Sequence, residues 1–479
     1  MPILILLIPL CGIFLLNLPK RQKAAKFAGL LVGLICLVLM VFAATSQLSF
    51  WVPLNEALTL QVSVEPVSQT TDPSLFSIDW LTAIMLFTIA MVTMAANAVG
   101  FDGDDRKIVL ARSLLLACMI GMSGVVMAGD LLTVYIFLEV TAVSCFILIA
   151  VDQKIEALGG AFKYYILSGL ATFAMLIANA LVFIKVGSLK FAEISAALTD
   201  GGLSLKLAMA LFVVALCVKA GVAPFHGWLP DAHASAPNAV SVLLSGVVIK
   251  VAGAYLTIRL MDEVFAELPV ASLALMTLGA FSIAVGAFGA IAQTDMKRVL
   301  AFSSVSQMGY IVLAAGLGTK LALMGAVVHI VNHAMFKSLL FVNAAAVKEQ
   351  TGTTELAKLG GLTERMPVTG WTSVIGLLSA AGLPPTSGFW SKLLIIMGLF
   401  MAGQWVFAAI ALVMSVVTLA YLLMLQRNVF FGQLRAGLEE LQEARKGLSI
   451  TALTLAVMTT VIGLAFPILF YILGGLGVV

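Results

Sequence analysis

Charged side chains are scarce in this sequence. Its 479 residues include 27 Lys and Arg and 24 Asp and Glu, so that 11% are charged, whereas soluble domains usually carry about 25%. A further 61% of the residues are hydrophobic. So few charges cannot cover the surface of a globule in water, which excludes a soluble protein and predicts a chain that crosses a membrane many times. The net charge of +3 is small and gives no indication of nucleic-acid binding.

Metal-binding and redox motifs are also missing. The five cysteines fall in apolar runs without metal-ligand spacing, and we expect them to be small core residues. No pattern for an iron–sulfur cluster, a haem or a nucleotide occurs. His329 and His333 lie four apart on one predicted helix, whereas the ligands of stacked haems need opposed helices. We therefore predict no metal and no cofactor in this chain, and expect any redox groups to belong to partner chains.

What the sequence does contain is a series of apolar runs as long as a membrane-spanning helix. At about 20 residues per span, fourteen runs can be placed, from residues 2–17 to residues 449–475. The predicted fold is therefore an all-α polytopic membrane protein with about 14 transmembrane helices. The first run lacks a basic leader and a small-residue cleavage site, so we expect it to be a span rather than a signal peptide.

The distribution of basic residues orients the spans. With the N-terminus outside, eighteen Lys and Arg fall in cytoplasmic segments or helix ends, including the basic turn at residues 18–23, and five fall on the other side. We therefore expect both termini to face outside. Residues 46–77 contain three acidic residues and no Lys or Arg, and are predicted to form an external loop.

The seventh predicted span carries Lys219 and is then broken by Gly221 and Pro224. An ammonium group in the middle of a bilayer costs several kcal/mol unless it is compensated, and proline removes a backbone donor and interrupts the helix. Non-helical backbone at membrane depth survives only where protein or a wet cavity surrounds it. A broken helix with a lysine is therefore predicted to be part of an ion path.

The twelfth predicted span repeats this pattern, with the breaking residues Gly382, Pro384 and Pro385 followed by Lys392. The two breaks are five spans apart, and an odd repeat reverses the direction of the chain. We therefore predict two inverted repeats, spans 4–8 and 9–13, which transporters use to build two half-paths that meet at the midplane. The predicted division is then residues 1–100 (three helices and the external loop), 101–262 and 263–432 (the two repeats), and 433–479 (a cytoplasmic connection and the last helix).

Three further charges lie in or near the first repeat's spans. Glu139 lies about nine residues into the fifth span and must be protonated, hydrated or paired, with Lys219 or Lys163 as candidate partners. A purely structural ion pair is an alternative role. Lys163 belongs either to the path or only to the cytoplasmic interface, to which lysine snorkels. Lys250 lies thirteen residues after Pro237, about 20 Å along the eighth span at 1.5 Å per residue, and so deep in the membrane.

His329, His333 and Lys337 lie four residues apart in the eleventh span, so they share one helix face. Neutral histidine exchanges protons near physiological pH, which makes this face a candidate proton relay. The alternative is one or two hydrogen-bonded core histidines.

The sequence resembles the antiporter-like subunits of respiratory complex I, a family shared with Mrp cation/proton antiporters and membrane-bound hydrogenases, and is most similar to their D-type subunit. The matching segments are Phe137–Glu139, the long motif Lys219–His233, Gln293–Arg298, His329–Lys337 and Gly382–Lys392. The resemblance implies a pair between Glu139 and Lys219, a central Lys250, and a connection through His329 and His333 to Lys392 and the exit. One complex I branch has a glutamate at that last position.

Three functions are compatible with these features. The first is a proton-translocating subunit of a redox-driven complex, either a complex I-like NADH or ferredoxin dehydrogenase or a hydrogenase. The second is a sodium/proton exchanging subunit of an Mrp-type antiporter. The third is a non-conducting scaffold, in which apolar residues could replace the charges without loss. The chain itself would perform no redox chemistry in any of them.

The predicted surroundings follow from the resemblance. We expect other membrane subunits as partners, including related antiporter-like chains, together with a peripheral redox module, the lipid bilayer, and protons or sodium ions as the transported species. The predicted location is the cytoplasmic membrane of a prokaryote.

Overall fold

The computed structural model describes residues 2–17, 24–45, 75–197, 202–264 and 269–475. The predicted basic turn at 18–23 and most of the predicted external loop at 46–77 lie outside these residues. Within the described parts of the chain there are many helices and no named strand, only three isolated bridges near helix ends. The all-α prediction is confirmed.

Among the described residues, eleven helices are long and apolar enough to cross a membrane, and three shorter apolar helices correspond to the remaining predicted spans. The α-helices in the first half are α1 (Pro2–Leu16), α2 (Ala24–Thr45), α3 (Trp80–Val99), α4 (Asp105–Met127), α5 (Leu131–Ala150), α6 (Ile155–Val186), the short α7 (Phe191–Ala197), α8 (Leu203–Ala220), α9 (Trp228–Ser235), α10 (Asn238–Leu243) and α11 (Leu256–Arg259). Those in the second half are α12 (Pro269–Ile291), α13 (Met296–Leu317), α14 (Lys320–Thr351), α15 (Pro367–Ala381), α16 (Ser387–Met401), α17 (Trp405–Val429) and α18 (Lys446–Gly475).

Both predicted breaks are present and have the same local structure. The seventh span consists of α8 and α9, and α8 is capped by Gly221 at φ 67°. The twelfth span consists of α15 and α16, and α15 is capped by Gly382 at φ 82°. Left-handed backbone of this kind favours glycine and closes the last helical turn. A cis proline, Pro224 or Pro385, follows each cap. The two breaks are five spans apart, as predicted; the domain boundaries stay predictions.

The eighth span lies at the centre of the molecule. It runs from α10 through three π-helical segments, Leu244–Val248, Lys250–Tyr255 and Leu260–Val264, with α11 between the last two. Every residue in its most apolar window is buried by protein. Gly253 packs on the end of α8, where an added Cβ would lie 2.4 Å from the Cβ of Ala220. π-Helical turns are rare and often occur at functional sites.

Helices α12 and α13 touch backbone to backbone along their length. A Cβ added at Gly286 would lie 2.3 Å from the amide nitrogen of Ser306, and one added at Gly279 would lie 2.5 Å from that of Leu313. Small residues allow this close approach in membranes, where the main attraction between helices is packing. The two helices therefore form a tight pair, and α13 presents its other face to the middle of the protein.

A charged cluster fixes the C-terminal end of the eighth span. Arg259 binds the carboxylates of Asp79 and Glu263, and its Nε donates to the Tyr255 hydroxyl at 2.9 Å. Asp79 is also the N-cap of α3 and accepts from the Thr82 amide at 2.7 Å. Burial raises the pKa of the Asp79 carboxyl, but Arg259 and Thr82 together lower the pKa below its usual range. Asp79 is therefore ionised at neutral pH and ties α3 to the eighth span.

Candidate ion path

Lys219 lies in the last turn of α8 and is 4% exposed. Its Nζ donates to the Ser168 hydroxyl on α6 at 2.7 Å. The Trp228 indole donates to the Val218 carbonyl at 3.0 Å and so satisfies one of the last carbonyls of the interrupted helix. The break thus holds a buried lysine beside a polar side chain.

The partners of Glu139 and Lys163 differ from the simplest prediction. Lys163 binds Asp231 at 2.5 Å, and the other oxygen of Asp231 accepts from Arg298 at 2.8 Å. The Lys163 side chain is 59% exposed and forms no salt bridge with Glu139. Glu139 is half-buried on α5 and has no salt bridge within 4.0 Å among the described residues. Its pairing with Lys219 stays a prediction.

Lys250 and Lys337 lie at the centre and are both fully buried. Lys250 donates to the Ser245 carbonyl on its own span, and Lys337 on α14 donates to the Leu300 carbonyl on α13 at 2.8 Å. Each ammonium group therefore has one backbone oxygen and no carboxylate within 4.0 Å in the described parts of the chain. The two lysines are within electrostatic range of one another, so a charge on one opposes a charge on the other.

The two relay histidines lie side by side on α14, fully buried, with ring centroids 5.9 Å apart and the planes nearly parallel. The Gln307 amide nitrogen donates to the Ala380 carbonyl at 3.4 Å. The Gln307 amide oxygen therefore accepts from Nε2 of His329 at 3.1 Å. Nδ1 of His329 is 2.8 Å from the Ser391 hydroxyl. Neither ring nitrogen of His333 has a hydrogen-bond partner among the described residues.

Lys392 lies at the second break and is 3% exposed. Its Nζ donates to the Ala380 and Ala381 carbonyls at 2.9 and 3.3 Å and to the Ser415 hydroxyl at 3.2 Å. Since the Ala380 carbonyl also faces Gln307, a hydrogen-bonded connection runs from His329 to the surroundings of Lys392.

Two buried basic residues belong to this group although neither was among the predicted path residues. His233 on α9 is fully buried and stacks on Phe341 at 4.8 Å, and within the described ranges neither of its ring nitrogens has a protein partner. Lys297 in the first turn of α13 is 1% exposed and donates to the Ala236 carbonyl at 2.7 Å. The charge pattern indicated that Lys297 orients the spans. Only its place in the family motif Gln293–Arg298 indicated a further role. Both lie at the end of the spans predicted to face the cytoplasm.

Several hydroxyl and amide groups between these residues are buried without a partner in the described part of the protein. The unpartnered atoms include the hydroxyls of Ser303, Ser306 and Ser338 and the amide oxygen of Asn332. Buried polar atoms nearly always have partners, so these positions are suited to ordered water. The described residues contain no group of three or more His, Cys, Asp or Glu that could hold a metal ion. The arrangement can pass protons between basic groups through water and hydroxyls.

Comparison with known proteins shows the family to which this chain is similar. The family model described as NADH:quinone oxidoreductase/Mrp antiporter, transmembrane, matches residues 128–418. The chain is 36% identical over 324 residues to NADH-quinone oxidoreductase subunit N of Desulforudis audaxviator, an alignment that covers 66% of this chain and 64% of that protein. It is 31% identical over 349 residues to the D-type subunit of a Na(+)/H(+) antiporter of Alkalihalophilus pseudofirmus, covering 72% of this chain and 70% of that protein.

Solved structures share the fold along nearly the whole chain. A chain of the Mrp complex from a Dietzia species superposes with a TM-score of 0.85 at 23% identity, covering 98% of this chain and 94% of that one. A chain of an archaeal membrane-bound sulfane sulfur reductase gives a TM-score of 0.83 at 28% identity, covering 96% and 75%. The family model covers more than half of the residues and includes every path residue named above. The chain therefore belongs to the transmembrane family of NADH:quinone oxidoreductases and Mrp antiporters.

Proposed function

We propose that this chain is the proton-translocating, antiporter-like subunit of a redox-driven, complex I-related membrane assembly. One observation carries the proposal: basic side chains in the two broken helices and in spans between them are buried by protein. In chain order they are Lys219, Lys250, His329, His333, Lys337 and Lys392. Buried lysines without carboxylate partners are costly, and they are retained in membranes chiefly where they serve transport.

The proposed mechanism depends on control of lysine protonation. Desolvation favours the neutral form of a lysine, and an approaching carboxylate favours the charged form. Movement of Glu139 relative to Lys219 would change the proton affinity of Lys219 and drive a proton toward Lys250. Repulsion between the central lysines would then move a proton along His333 and His329 to Lys392. His233 and Lys297 would deliver protons from the cytoplasmic side.

The proposal includes an orientation and surroundings. Both termini face outside the cytoplasmic membrane of a prokaryote, the neighbours are other membrane subunits, some of them related antiporter-like chains, and a peripheral module carries the redox groups. The similarity to subunit N of an NADH-quinone oxidoreductase supports this assignment.

The experiment is proton pumping by the intact assembly in inverted membrane vesicles, followed with a pH-sensitive dye. We expect Lys219→Ala to reduce the initial pumping rate at least tenfold, because it removes the charge at the first break. Lys206→Ala is the matched control, since Lys206 lies on the same helix but is exposed. Assembly is checked by native gel. Normal pumping by an assembled Lys219→Ala variant would refute the proposal.

A sodium/proton exchanging subunit of an Mrp-type antiporter is the second candidate. The observation in its favour is the 31% identity to the D-type subunit of a Na(+)/H(+) antiporter. The neighbours in the purified assembly discriminate between the two: hydrogenase or quinone-site subunits support the redox-driven complex, and small membrane subunits alone support the antiporter.

A further inference from the structure

The ammonium group of Lys392 is held differently from those of the other buried lysines. Lys219, Lys250 and Lys337 each donate to one oxygen. Lys392 donates to three, two of them backbone carbonyls. It has no salt bridge within 4.0 Å among the described residues, so these oxygens come from neutral groups alone.

The oxygens are available because the helix stops there. α15 ends at Ala381, and the amide of Gly382 turns back to the carbonyls of Leu378 and Ser379. The next two carbonyls, of Ala380 and Ala381, therefore have no helical partner and point to the Lys392 ammonium.

Two further side chains complete the surroundings of the ammonium. The Ser415 hydroxyl on α17 donates to the Ala381 carbonyl at 2.9 Å, so its lone pairs face Lys392. The Tyr310 ring lies 4.8 Å from the Lys392 Nζ, within the range of a cation–π interaction. The Tyr310 hydroxyl donates to the Ala411 carbonyl at 2.7 Å, which fixes the ring in place.

We propose that the Ala380 and Ala381 carbonyls, the Ser415 hydroxyl and the Tyr310 ring form a site for one monovalent metal cation, which the Lys392 ammonium fills as a tethered ion. Neutral carbonyl and hydroxyl oxygens suit hard cations, and carbonyls of interrupted helices coordinate sodium in transporters. When Lys392 is replaced by a residue without the ammonium group, a sodium ion takes its place. Because no carboxylate contributes to the site, we expect it to bind a cation with one positive charge rather than two.

This inference deepens the proposed function by giving sodium and protonated Lys392 one shared site. It concerns equilibrium binding and needs neither pumping nor a redox partner. A failure of the proton-pumping proposal would therefore leave the sodium measurement unaffected, and the reverse also holds.

The experiment measures equilibrium binding of ²²Na⁺ to the purified intact assembly in detergent at pH 7. We expect Lys392→Ala to bind about one more sodium ion per chain than the wild type, since one ammonium has been removed. Adding Ser415→Ala to this variant should weaken the additional binding about tenfold, as for the loss of one ligand. Excess magnesium should not displace the sodium.

Lys219→Ala is the matched control, because it removes the corresponding lysine of the other broken helix but exposes only the Ser168 hydroxyl. Lys392→Met replaces the Ala variant if that variant does not assemble, since methionine fills the stem and leaves the ammonium position open. Equal sodium binding by wild type, Lys392→Ala and Lys219→Ala, or binding that ignores Ser415, would overturn the inference.

Discussion

Burial, rather than position in the chain, decides the role of each basic residue. Lys297 and Arg298 are neighbours at the start of α13. Arg298 turns outward and binds Asp231 and Gln293 near the surface. Lys297 turns inward, is 1% exposed and donates to the carbonyl of Ala236. A charge count treats the two alike, but only Lys297 is buried like the residues of the proposed path.

We expect Lys297→Ala to slow proton pumping by the assembly at least tenfold, comparably to the loss of Lys219, because it removes a buried basic group at the end proposed to face the cytoplasm. Lys358→Ala is the control, since the Lys358 side chain is 65% exposed and pairs only with Glu355 among the described residues. The dye assay in inverted vesicles measures both variants. Equal rates for Lys297→Ala and Lys358→Ala would remove Lys297 from the path.

Much of the candidate site could be predicted from residue type and spacing. A lysine deep in an apolar run indicates an ion path more often than a structural role, and this pattern predicted Lys250 and Lys392. Helical periodicity predicted that His329 lies beside His333. Contacts between helices that are distant in the chain produce no such local pattern in the sequence. The Lys163–Asp231 pair joins residues 68 positions apart, and no local pattern distinguishes it from a pair with Glu139. His233 was overlooked as a path residue for the same reason, since its burial depends on Phe341 of α14.

At the scale of helices, the contact between α8 and the eighth span determines how near Lys250 comes to the first break. Gly253 lies on the same π-helical segment as Lys250, and its missing side chain lets the segment touch Ala220, the residue after Lys219. A larger residue at 253 must push the two helices apart. The distance from Lys219 to Lys250 would increase with them.

We expect Gly253→Val to reduce pumping at least tenfold, and to lower the thermal stability of the assembly, because overpacking a core typically costs about 1–3 kcal/mol. Gly169→Val is the matched control, because a Cβ at Gly169 on α6 meets no atom within 4 Å among the described residues. Pumping rate and melting temperature are measured for both. A Gly253→Val assembly that pumps normally would show that close contact at Ala220 is unnecessary.

The helices themselves were largely predictable, since apolar length and the glycine–proline breaks are local properties of the sequence. The π-helical turns of the eighth span were not. Residues 244–255 contain no proline and only ordinary helix formers besides two glycines. The π-helical conformation of these turns depends on packing against the helices that surround the span on every side. The sequence of one segment does not specify that packing.

At the scale of the whole molecule, large apolar side chains are exposed on the outside, and a group of buried polar side chains lies within a largely apolar core. α6 and α17 expose rows of large apolar residues, among them Phe162, Phe173, Val406 and Val416. The buried polar residues gather around the eighth span and α13–α14. So much exposed apolar surface fits a molecule that is surrounded by lipid.

The proposed orientation predicts which surface positions face the cytoplasm. In intact cells, a membrane-impermeant thiol reagent should label Lys206→Cys, at the outer start of α8, and should not label Lys446→Cys, at the start of α18, until the membrane is opened. Both positions are exposed. Four native cysteines are buried, and the unsubstituted chain controls for Cys11. Labelling in the opposite order would reverse the proposed topology.

The backbone contact between α12 and α13 has a mechanical consequence. Two helices in contact at Gly279 and Gly286 have no room to slide or to separate without breaking many contacts at once. We expect these two helices, which hold Gln307 and Tyr310, to stay fixed relative to each other. The π-helical turns around Lys250 would then shift relative to this rigid pair. Conformational changes would then occur on one side of the helix pair, where small displacements change which basic groups are neighbours.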